Sequence, residues 1–224
     1  MSKVSAYLGS KAASGLFQAI IAMMPPHETY IETHLGGGAI MKRKPAAMTN
    51  IGIDLDPKPL REFTCSYPVQ LIQSCAHDFL QQHPFTGKEL VYCDPPYLAE
   101  TRTSHNRYRC DYRQQDHVAL LAILNTLPCQ VMISGYPSRL YDDYLGHWHH
   151  LELQAMSRGG PRTEKLWYNF ELDRVHWARF AGKDAGDRQR IKRKAQRWQQ
   201  KYQVLPPSER LAILAALMET EAVQ

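Results

Sequence analysis

Short apolar runs alternate with longer amphipathic or polar stretches along the first 170 residues of the chain. The runs have the length and the β-branched or aromatic content that are typical of strands. The predicted strands are Tyr30–Glu32, Asn50–Leu55, Cys75–Phe79, Leu90–Cys93, Gln130–Ser134, 148–155 and 165–172. Strands that alternate with helices at this spacing predict an α/β fold with a doubly wound, mostly parallel sheet. The last two runs fit an antiparallel hairpin at the edge of that sheet.

Helices are predicted between these strands and after them. The predicted helical segments are Ser14–Met24, a short helix after Gly38, a helix tail at Gln70–Ser74, Asp116–Leu124, a basic helix at Asp187–Lys201 and an apolar helix at Ser208–Glu219. Pro25 and Pro26 end the first helix, and Ser208 is the expected N-cap of the last one. The change of character near residue 180 predicts an α/β domain over 1–180 and a small helical appendage over 181–224.

Composition changes this picture little. Hydrophobic residues make up 44% of the chain and charged residues 22%, as in ordinary globular proteins. No apolar run is long enough to cross a membrane, and no secretory signal is recognisable, so we expect a cytoplasmic protein without a membrane partner. The five cysteines are dispersed and form no C-x-x-C pair. We therefore expect neither a disulfide framework nor a metal site, even at the histidines of 147–150.

The positive charge is concentrated in one segment. The chain has a formal net charge of +5, and residues 183–201 carry eight basic side chains against Asp184 and Asp187. A cluster of this kind attracts polyanions, most commonly nucleic acid. The alternative is that these side chains form a solvated helix face.

A glycine turn follows the first predicted strand. Gly36, Gly37 and Gly38 would allow backbone amides to approach a ligand, and Asp54 at the end of the next strand could accept hydrogen bonds from ribose hydroxyls. Met41 stands where a dinucleotide fingerprint needs its third glycine. An adenosyl ligand without a pyrophosphate therefore fits better than NAD. The alternative is a tight turn without a ligand.

A second motif, Asp94-Pro95-Pro96-Tyr97, follows the apolar strand Leu90–Cys93. The prolines fix the backbone and donate no hydrogen bonds, so carbonyls of the loop can accept them. An aspartate and a proline-region carbonyl can together hold the two N–H groups of an amine, and Tyr97 can stack on a base that has been rotated out of a duplex. The alternative is that the four residues only end a strand.

Residues 5–170 resemble, in collinear order, the D12-class (Dam-like, alpha-group) N6-adenine DNA methyltransferases of phage or prophage type. The resemblance implies a Rossmann-like class I methyltransferase fold, S-adenosyl-L-methionine as the methyl donor, and double-stranded DNA as the partner whose flipped-out adenine is methylated. The catalytic residues that it implies are Asp94, Pro95, Pro96 and Tyr97. The donor-binding residues that it implies are Tyr7, Gly9, Lys11, Glu32, His34, Leu35, Gly36, Gly37, Gly38, Asp54, Leu55, Asp78, Phe79 and Asp94. Among these, Asp78 and Phe79 are expected to hold the adenine of the donor.

The chain departs from this family in two places. Thr33-His34 stand where the family usually has Pro-Phe, and we interpret His34 as a packing substitute rather than as a proton shuttle. Only fourteen residues separate Phe79 from Asp94, so the target-recognition domain that larger relatives insert there is missing.

DNA contacts must therefore come from elsewhere in the chain. The arginine-rich loop over 98–113 and a second patch at 157–162 are the candidates, because arginine contacts guanine or phosphate. The predicted DNA-binding residues are Arg102, Asn106, Arg107, Tyr108, Arg109, Arg158 and Arg162. Alternatively, the arginines of the loop pair with nearby acids.

Two further functions remain open at this point. The methyl acceptor could be an adenine in RNA or a protein amide, although such enzymes more often carry Asn at the position of Asp94. The chain could also be a non-catalytic accessory subunit that binds the methyl donor or DNA.

Deletion of residues 183–224 is expected to weaken DNA binding and to flatten its salt dependence, because the basic helix would supply the contacts that release counterions. Titration of the full-length and shortened proteins with labelled DNA at several salt concentrations measures both effects. Binding of the methyl donor serves as the control and should persist. An unchanged salt slope would contradict the assignment of this helix to DNA.

Overall fold

The computed structural model describes residues 16–102, 109–157, 160–172 and 185–210, together with 212, 213 and 216. The chain divides by its internal contacts into two compact units, Met1–Ala178 and Arg179–Gln224. Each unit is described below on its own.

A seven-stranded sheet forms the centre of the first unit, with the strand order β3-β2-β1-β4-β5-β7-β6. The strands are β1 Thr29–Glu32, β2 Thr49–Asp54, β3 Gln70–Gln73, β4 Glu89–Cys93, β5 Gln130–Gly135, β6 His149–Ser157 and β7 Gly160–Tyr168. Strands β1 to β5 pair in parallel, whereas β7 is antiparallel to both β5 and β6. The predicted doubly wound, mostly parallel α/β fold with an antiparallel edge hairpin is therefore confirmed.

Helices lie between the other consecutive parallel strands, whereas turns alone join β1 to β2. The helices of this unit are α1 Leu16–Ala22, α2 Pro57–Glu62, α3 Ala76–Gln82, α4 Gln114–Leu124 and α5 Arg139–Leu145. Every residue of β4 is buried, because helices cover both faces of the sheet and leave no polar side to alternate with an apolar one. Ile31, Val91 and Val131 lie in neighbouring strands and are fully buried in the core.

Residues 70–79 fold in the opposite order from the prediction. Gln70–Gln73 is the edge strand β3 rather than a helix tail, and Ala76–Gln82 is the helix α3 rather than a strand. Two glutamines are compatible with an edge strand, because such a strand needs to bury few side chains. The buried residues of α3 are Ala76 and Leu80, four positions apart, which is the spacing of one helix face.

Two other helix predictions also need correction. The helix expected after Gly38 is reduced to turns, with hydrogen bonds from the Lys42 amide to the Gly38 carbonyl and from the Lys44 amide to the Ile40 carbonyl. Pro45 prevents the chain from continuing as a helix. Helical backbone in the second unit already begins at residue 207, so Ser208 lies inside the first turn and is not the N-cap.

The hairpin of β6 and β7 extends beyond the rest of the sheet. The two strands pair along their full length, from His149 with Tyr168 to Ser157 with Gly160. Strand β5 pairs with β7 only over residues 165–168. Residues 160–164 therefore continue past the carboxyl end of β5 as half of a two-stranded ribbon.

The second unit contains the helix α6, Ala185–Gln203. Five of its exposed basic residues recur at the spacing of one helix face, and Lys192 is exposed on another side of the helix. The five are Arg190, Arg193, Lys194, Arg197 and Lys201. At the end of α6 the Tyr202 hydroxyl donates to the Arg210 carbonyl over 2.9 Å, which ties the following helical residues to it. Across the described part of the chain, no helix is both long enough and apolar enough to span a membrane.

Gly38→Ala is expected to destabilise the protein more than Gly87→Ala does. Both glycines have positive φ, +62° and +88°, so an alanine costs about 1–2 kcal/mol at either position. At Gly38 the added Cβ would also lie 2.2 Å from Cε2 of Phe63, whereas at Gly87 the nearest atom is the Pro128 carbonyl oxygen at 3.4 Å. We expect an additional cost of about 1–3 kcal/mol at Gly38 because the phenyl ring must move.

Urea denaturation of both variants measures this difference. Equal free energies of unfolding for the two alanine variants would show that the Phe63 ring does not restrict this turn.

Candidate functional site

The candidate residues meet at the carboxyl edge of the sheet, where the strand order reverses between β1 and β4. Glu32 at the end of β1 pairs with Tyr92 of β4, and the Thr33 amide donates to the Tyr92 carbonyl one residue further on. The chain leaves β1 towards β2, on one side, and β4 towards β5, on the other. Ligands of doubly wound folds bind in the crevice that this reversal opens.

The glycine turn after β1 is tied to the end of β2. The Leu35 amide donates to the Ile53 carbonyl over 2.8 Å, and the Gly36 amide donates to Oδ2 of Asp54 over 2.8 Å. Gly36 and Gly38 have φ values of +47° and +62°, in the region that favours glycine. The predicted turn therefore has a structural role in any case, since it joins the two neighbouring strands.

Asp54 ends β2 at the same edge, and Leu55 follows it directly. The other oxygen of Asp54 accepts from the Asp56 amide over 2.9 Å, and burial raises the pKa of the Asp54 carboxyl above its ordinary value. Leu55 is 49% exposed, which is unusual for an apolar side chain next to a buried strand. Asp56 caps α2 by accepting from the Lys58 amide over 3.0 Å. A carboxylate and an exposed apolar side chain thus lie side by side beyond the glycine turn.

Glu32 is buried beneath this turn and is 3% exposed. Its Oε2 accepts from the Met41 amide over 2.9 Å and from the Tyr30 hydroxyl over 3.2 Å. Burial raises the pKa of Glu32 to about 8, and burial lowers the pKa of Lys44 to about 8 as well. Glu32 therefore holds the turn as a largely protonated acid at neutral pH.

His34 belongs to a hydrogen-bonded chain that crosses the crevice. Thr33 Oγ1 donates to Cys93 Sγ over 3.1 Å and lies 2.8 Å from Nδ1 of His34. Nε2 of His34 lies 2.9 Å from the Tyr112 hydroxyl. Burial lowers the pKa of His34 to about 3, so the imidazole is neutral, with Nδ1 donating to Thr33 and Nε2 accepting from Tyr112. A neutral ring of this kind orients its neighbours and carries no positive charge at neutral pH.

Tyr112 is the centre of a cluster of aromatic side chains. Its ring stacks on His77 at 5.4 Å and meets the His34 and His117 rings edge to face at 5.4 and 5.3 Å. His117 is completely buried, its Nδ1 lies 2.9 Å from the Tyr141 hydroxyl, and burial lowers its pKa to about 4. Its Nε2 is buried without a hydrogen-bond partner among the residues that the structure describes.

Asp78 and Phe79, which are predicted to hold the adenine of the donor, lie in the first half of α3. Asp78 is exposed in the first turn of α3, and Phe79 stacks on His83 with 5.1 Å between ring centroids. The end of β3 instead places Cys75 and His77 towards the cluster around Tyr112, with His77 Nε2 2.8 Å from the Asp116 carbonyl. Within the part of the chain that the structure describes, no ring contact or hydrogen bond joins Asp78 or Phe79 to that cluster.

The tetrapeptide Asp94–Tyr97 follows β4 directly, across the crevice from the glycine turn. Asp94 is partly buried, and its charge contributes to the raised pKa of Glu32 after the larger effect of burial. The Tyr97 hydroxyl donates to Oε2 of Glu164 over 2.8 Å, and the Tyr97 ring meets the Tyr136 ring edge to face at 4.5 Å. Burial raises the pKa of Tyr97 well above its usual range.

In the loop after Tyr97, Arg102 and Arg109 form ion pairs with acids of the protein itself. Arg102 donates two hydrogen bonds to Asp111, at 2.8 and 2.6 Å, and its Nε donates to the Tyr97 carbonyl. The Arg102 side chain is only 8% exposed. Arg109 is 73% exposed and its guanidinium lies 3.5 Å from Oδ1 of Asp56. A DNA contact by either arginine would therefore replace an existing ion pair.

Several predicted site residues lie outside the described part of the chain. They are Tyr7, Gly9, Lys11, Asn106, Arg107, Tyr108 and Arg158. Arg162 belongs to β7, in the part of that strand that extends beyond β5.

Three residues of this edge were not predicted from the sequence. Tyr136 follows β5 directly, and the rule that ligands bind beyond the carboxyl ends of parallel strands would have identified it. His117 is one of several polar residues on α4, and Glu164 lies in a hairpin without a motif, so the sequence offers no signal for either. The structure also shows no group of three or more His, Cys, Asp or Glu side chains that could hold a metal ion, within its described residues.

Comparison with known proteins gives only distant similarities. No protein-family model matches the chain, and no curated protein matches its sequence. The chain is similar to the structure of TrmK from M. capricolum in complex with S-adenosyl-homocysteine, with 10% identity and a TM-score of 0.48 over 95% of this chain and 97% of that one. It is also similar to the N-methyltransferase NodS from Bradyrhizobium japonicum WM9, with 9% identity and a TM-score of 0.47 over 70% of this chain and 94% of that one. At these values the similarities carry no argument about function, which depends on the residues of the site.

Glu32→Gln is expected to change the pH dependence of stability. The folded-state pKa of Glu32, about 8, lies above the ordinary value of 4.5. Protonated Glu32 therefore contributes stability that is fully present below pH 4.5 and is lost as the pH rises through about 8. Buried His34 and His117 have lowered pKa values and act in the opposite direction in both proteins, so we expect the free energy of unfolding at about pH 8, relative to that at about pH 5, to be lower in the wild type than in the neutral variant.

Urea denaturation at both pH values measures the two slopes. Glu89→Gln is the matched control, because Glu89 is also buried but has a lowered pKa: burial opposes ionisation, and hydrogen bonds from Thr86 and Gly87 outweigh it. The stabilising contribution of the Glu89 carboxylate is lost only as the pH falls below this window. The same slope in the wild type and in Glu32→Gln would contradict the raised pKa.

Proposed function

We propose that the chain is an S-adenosyl-L-methionine-dependent methyltransferase that methylates the exocyclic N6 amine of a flipped-out adenine in DNA. The observation that carries the proposal is the position of Asp94–Tyr97. These residues follow the central strand β4 and lie across the crevice from the glycine turn that follows β1. A donor site on the β1–β2 side and an acceptor site on the β4–β5 side would then face one another.

The residues on the β1–β2 side fit the adenosyl part of the donor. Asp54 lies at the strand end, where a carboxylate can accept hydrogen bonds from ribose hydroxyls, and the exposed Leu55 offers an apolar surface to the adenine ring. The buried Nε2 of His117, which lacks a partner within the described residues, adds a polar atom beside the Tyr112 ring, which also contacts His34. When bound, the donor supplies a methyl group on a positively charged sulfur.

The residues on the β4–β5 side fit a planar base with an amino group. Tyr97 and Tyr136 follow two neighbouring strands, and their rings lie 4.5 Å apart. Aromatic rings at this position suit the stacking of an extruded base. The prolines between Asp94 and Tyr97 fix the backbone and leave its carbonyls as hydrogen-bond acceptors.

The chemistry then follows from positioning. The Asp94 carboxylate accepts one N–H of adenine N6 and a proline-region carbonyl accepts the other, so the nitrogen lone pair is directed away from the ring. The lone pair forms a bond to the methyl carbon while the carbon–sulfur bond breaks and its electrons remain on sulfur. The surplus proton on N6 is released to water. Fixed orientation and preorganised acceptors lower the barrier, and no metal is required.

The preference for DNA rests on two features of the chain. The resemblance to the D12-class enzymes includes an acid, Asp94, where relatives that methylate RNA or protein amides more often have asparagine. The basic face of α6 would add sequence-independent attraction to the phosphate backbone. The target sequence would be read by residues of the loop 98–113 and of the ribbon that contains Arg162.

Asp94→Ala is expected to reduce methyl transfer to DNA by at least about a hundredfold, because it removes a hydrogen-bond acceptor aligned with the reacting nitrogen. Incubation with labelled donor and separate DNA, RNA and protein acceptors measures the transfer and identifies the acceptor. Asp143→Ala is the matched control, since Asp143 is 64% exposed and pairs only loosely with Arg139 at 3.7 Å.

Each outcome has one meaning. Transfer to DNA that is lost in Asp94→Ala and kept in Asp143→Ala supports the proposal. Transfer to RNA or protein alone would refute the DNA substrate, and unchanged transfer by Asp94→Ala would refute the mechanism. Donor binding without transfer to any acceptor would indicate an accessory subunit instead.

A further inference from the structure

The Tyr97 side chain is held at its hydroxyl end by a residue far away in the sequence. The hydroxyl donates to Oε2 of Glu164 over 2.8 Å, across a separation of 67 residues. Hydrogen bonds to a carboxylate are stronger than those between neutral groups. The raised pKa of Tyr97 keeps the hydroxyl protonated, so it remains the donor over the whole physiological range.

Strand register explains why Glu164 reaches this position. Lys165 pairs with Gly135, the last residue of β5, so Glu164 is the first residue of β7 beyond the end of that strand. Because β7 runs antiparallel to β5, this point lies at the same carboxyl edge as the tetrapeptide after β4. Alternation along β7 puts Lys165 on the opposite face, where it pairs with Asp142 over 2.5 Å.

Tyr97 is also fixed through its backbone and its ring. Arg102 donates to the Tyr97 carbonyl and is itself held by Asp111, and Tyr136 contacts the edge or face of the ring. Glu164 adds the contact at the far end of the side chain. Without it, the phenol would lose one of the contacts that restrict rotation about its side-chain bonds.

We propose that Glu164 is a positioning residue for the methyl acceptor: by holding the Tyr97 hydroxyl, it fixes the plane of the ring against which the target adenine stacks. The inference rests on the proposed function and adds a residue to it. The plane of the ring sets the plane of the base and therefore the direction in which N6 points. Small misplacements of a reacting atom lower the rate strongly, so a residue that touches neither substrate can affect the reaction.

Glu164→Ala and Tyr97→Phe each remove one partner of this bond. We expect each to lower kcat/KM for DNA by about tenfold to a hundredfold, the range for a lost hydrogen bond to a charged group. The double variant should lose no more than either single variant, because the bond can be removed only once. Glu164→Gln keeps an acceptor oxygen at the same distance and should retain most of the activity.

Kinetics with labelled donor and unmethylated plasmid DNA measure these effects. Donor affinity by calorimetry should be unchanged, and each variant should still unfold in one cooperative thermal transition above the assay temperature, which separates positioning from a loss of folding. Glu152→Ala is the matched control, because Glu152 is an exposed glutamate on the same hairpin and pairs in register with Lys165.

Losses that add in the double variant, or full activity of Glu164→Ala, would overturn the inference. Losses shared equally by the Glu152→Ala control would also overturn it. A wild type that binds the donor and transfers no methyl group to DNA would instead refute the proposed function, so the two failures are distinguishable.

Discussion

Parallel pairing between β1 and β4 determines the arrangement of the site. Neighbouring parallel strands end at the same edge, and the chain leaves these two in opposite directions, so their loops face each other across a gap. The bond from the Thr33 amide to the Tyr92 carbonyl extends the ladder beyond the last residue of β1 and keeps both loop origins in register. A slip of one residue would exchange the two faces of β1 and bring Glu32 out from under the glycine turn.

Neutral polar groups maintain this arrangement. Glu32 is largely protonated, His34 and His117 are uncharged, and all three act through hydrogen bonds to residues of other elements. A buried ionised group requires a partner charge to offset its desolvation, and a neutral group needs only a hydrogen bond. The frame of the site therefore stays rigid at neutral pH without buried ion pairs at these positions.

Much of this arrangement could be predicted from the sequence, because the strongest patterns lie in the central strands. Leu90–Cys93 is apolar throughout and is followed by an acid and two prolines, which identifies a buried strand and its end. The prediction for residues 70–79 was wrong because an edge strand with glutamines and a short helix with one buried face both have weak hydrophobic patterns. Glu164 could not be found at all, since its role depends on the register between β5 and β7, which no local pattern specifies.

The prediction of a helix after the glycine turn was wrong for a different reason. The apolar residues Ala39, Ile40 and Met41 suit a helix, but they are buried in a turn instead, and Pro45 follows too soon for a helix to extend. Tertiary packing thus replaced the structure that local preference favours.

The ribbon beyond β5 has one more consequence. A two-stranded antiparallel ribbon is only marginally stable by itself, since half of its backbone groups have no neighbouring strand. Glu164 lies where the supported part of β7 becomes this ribbon. The aromatic ring of Tyr97 is thus hydrogen-bonded through its hydroxyl to the base of an arm that has only one pair of strands, so a macromolecule that displaced the arm would also displace that ring.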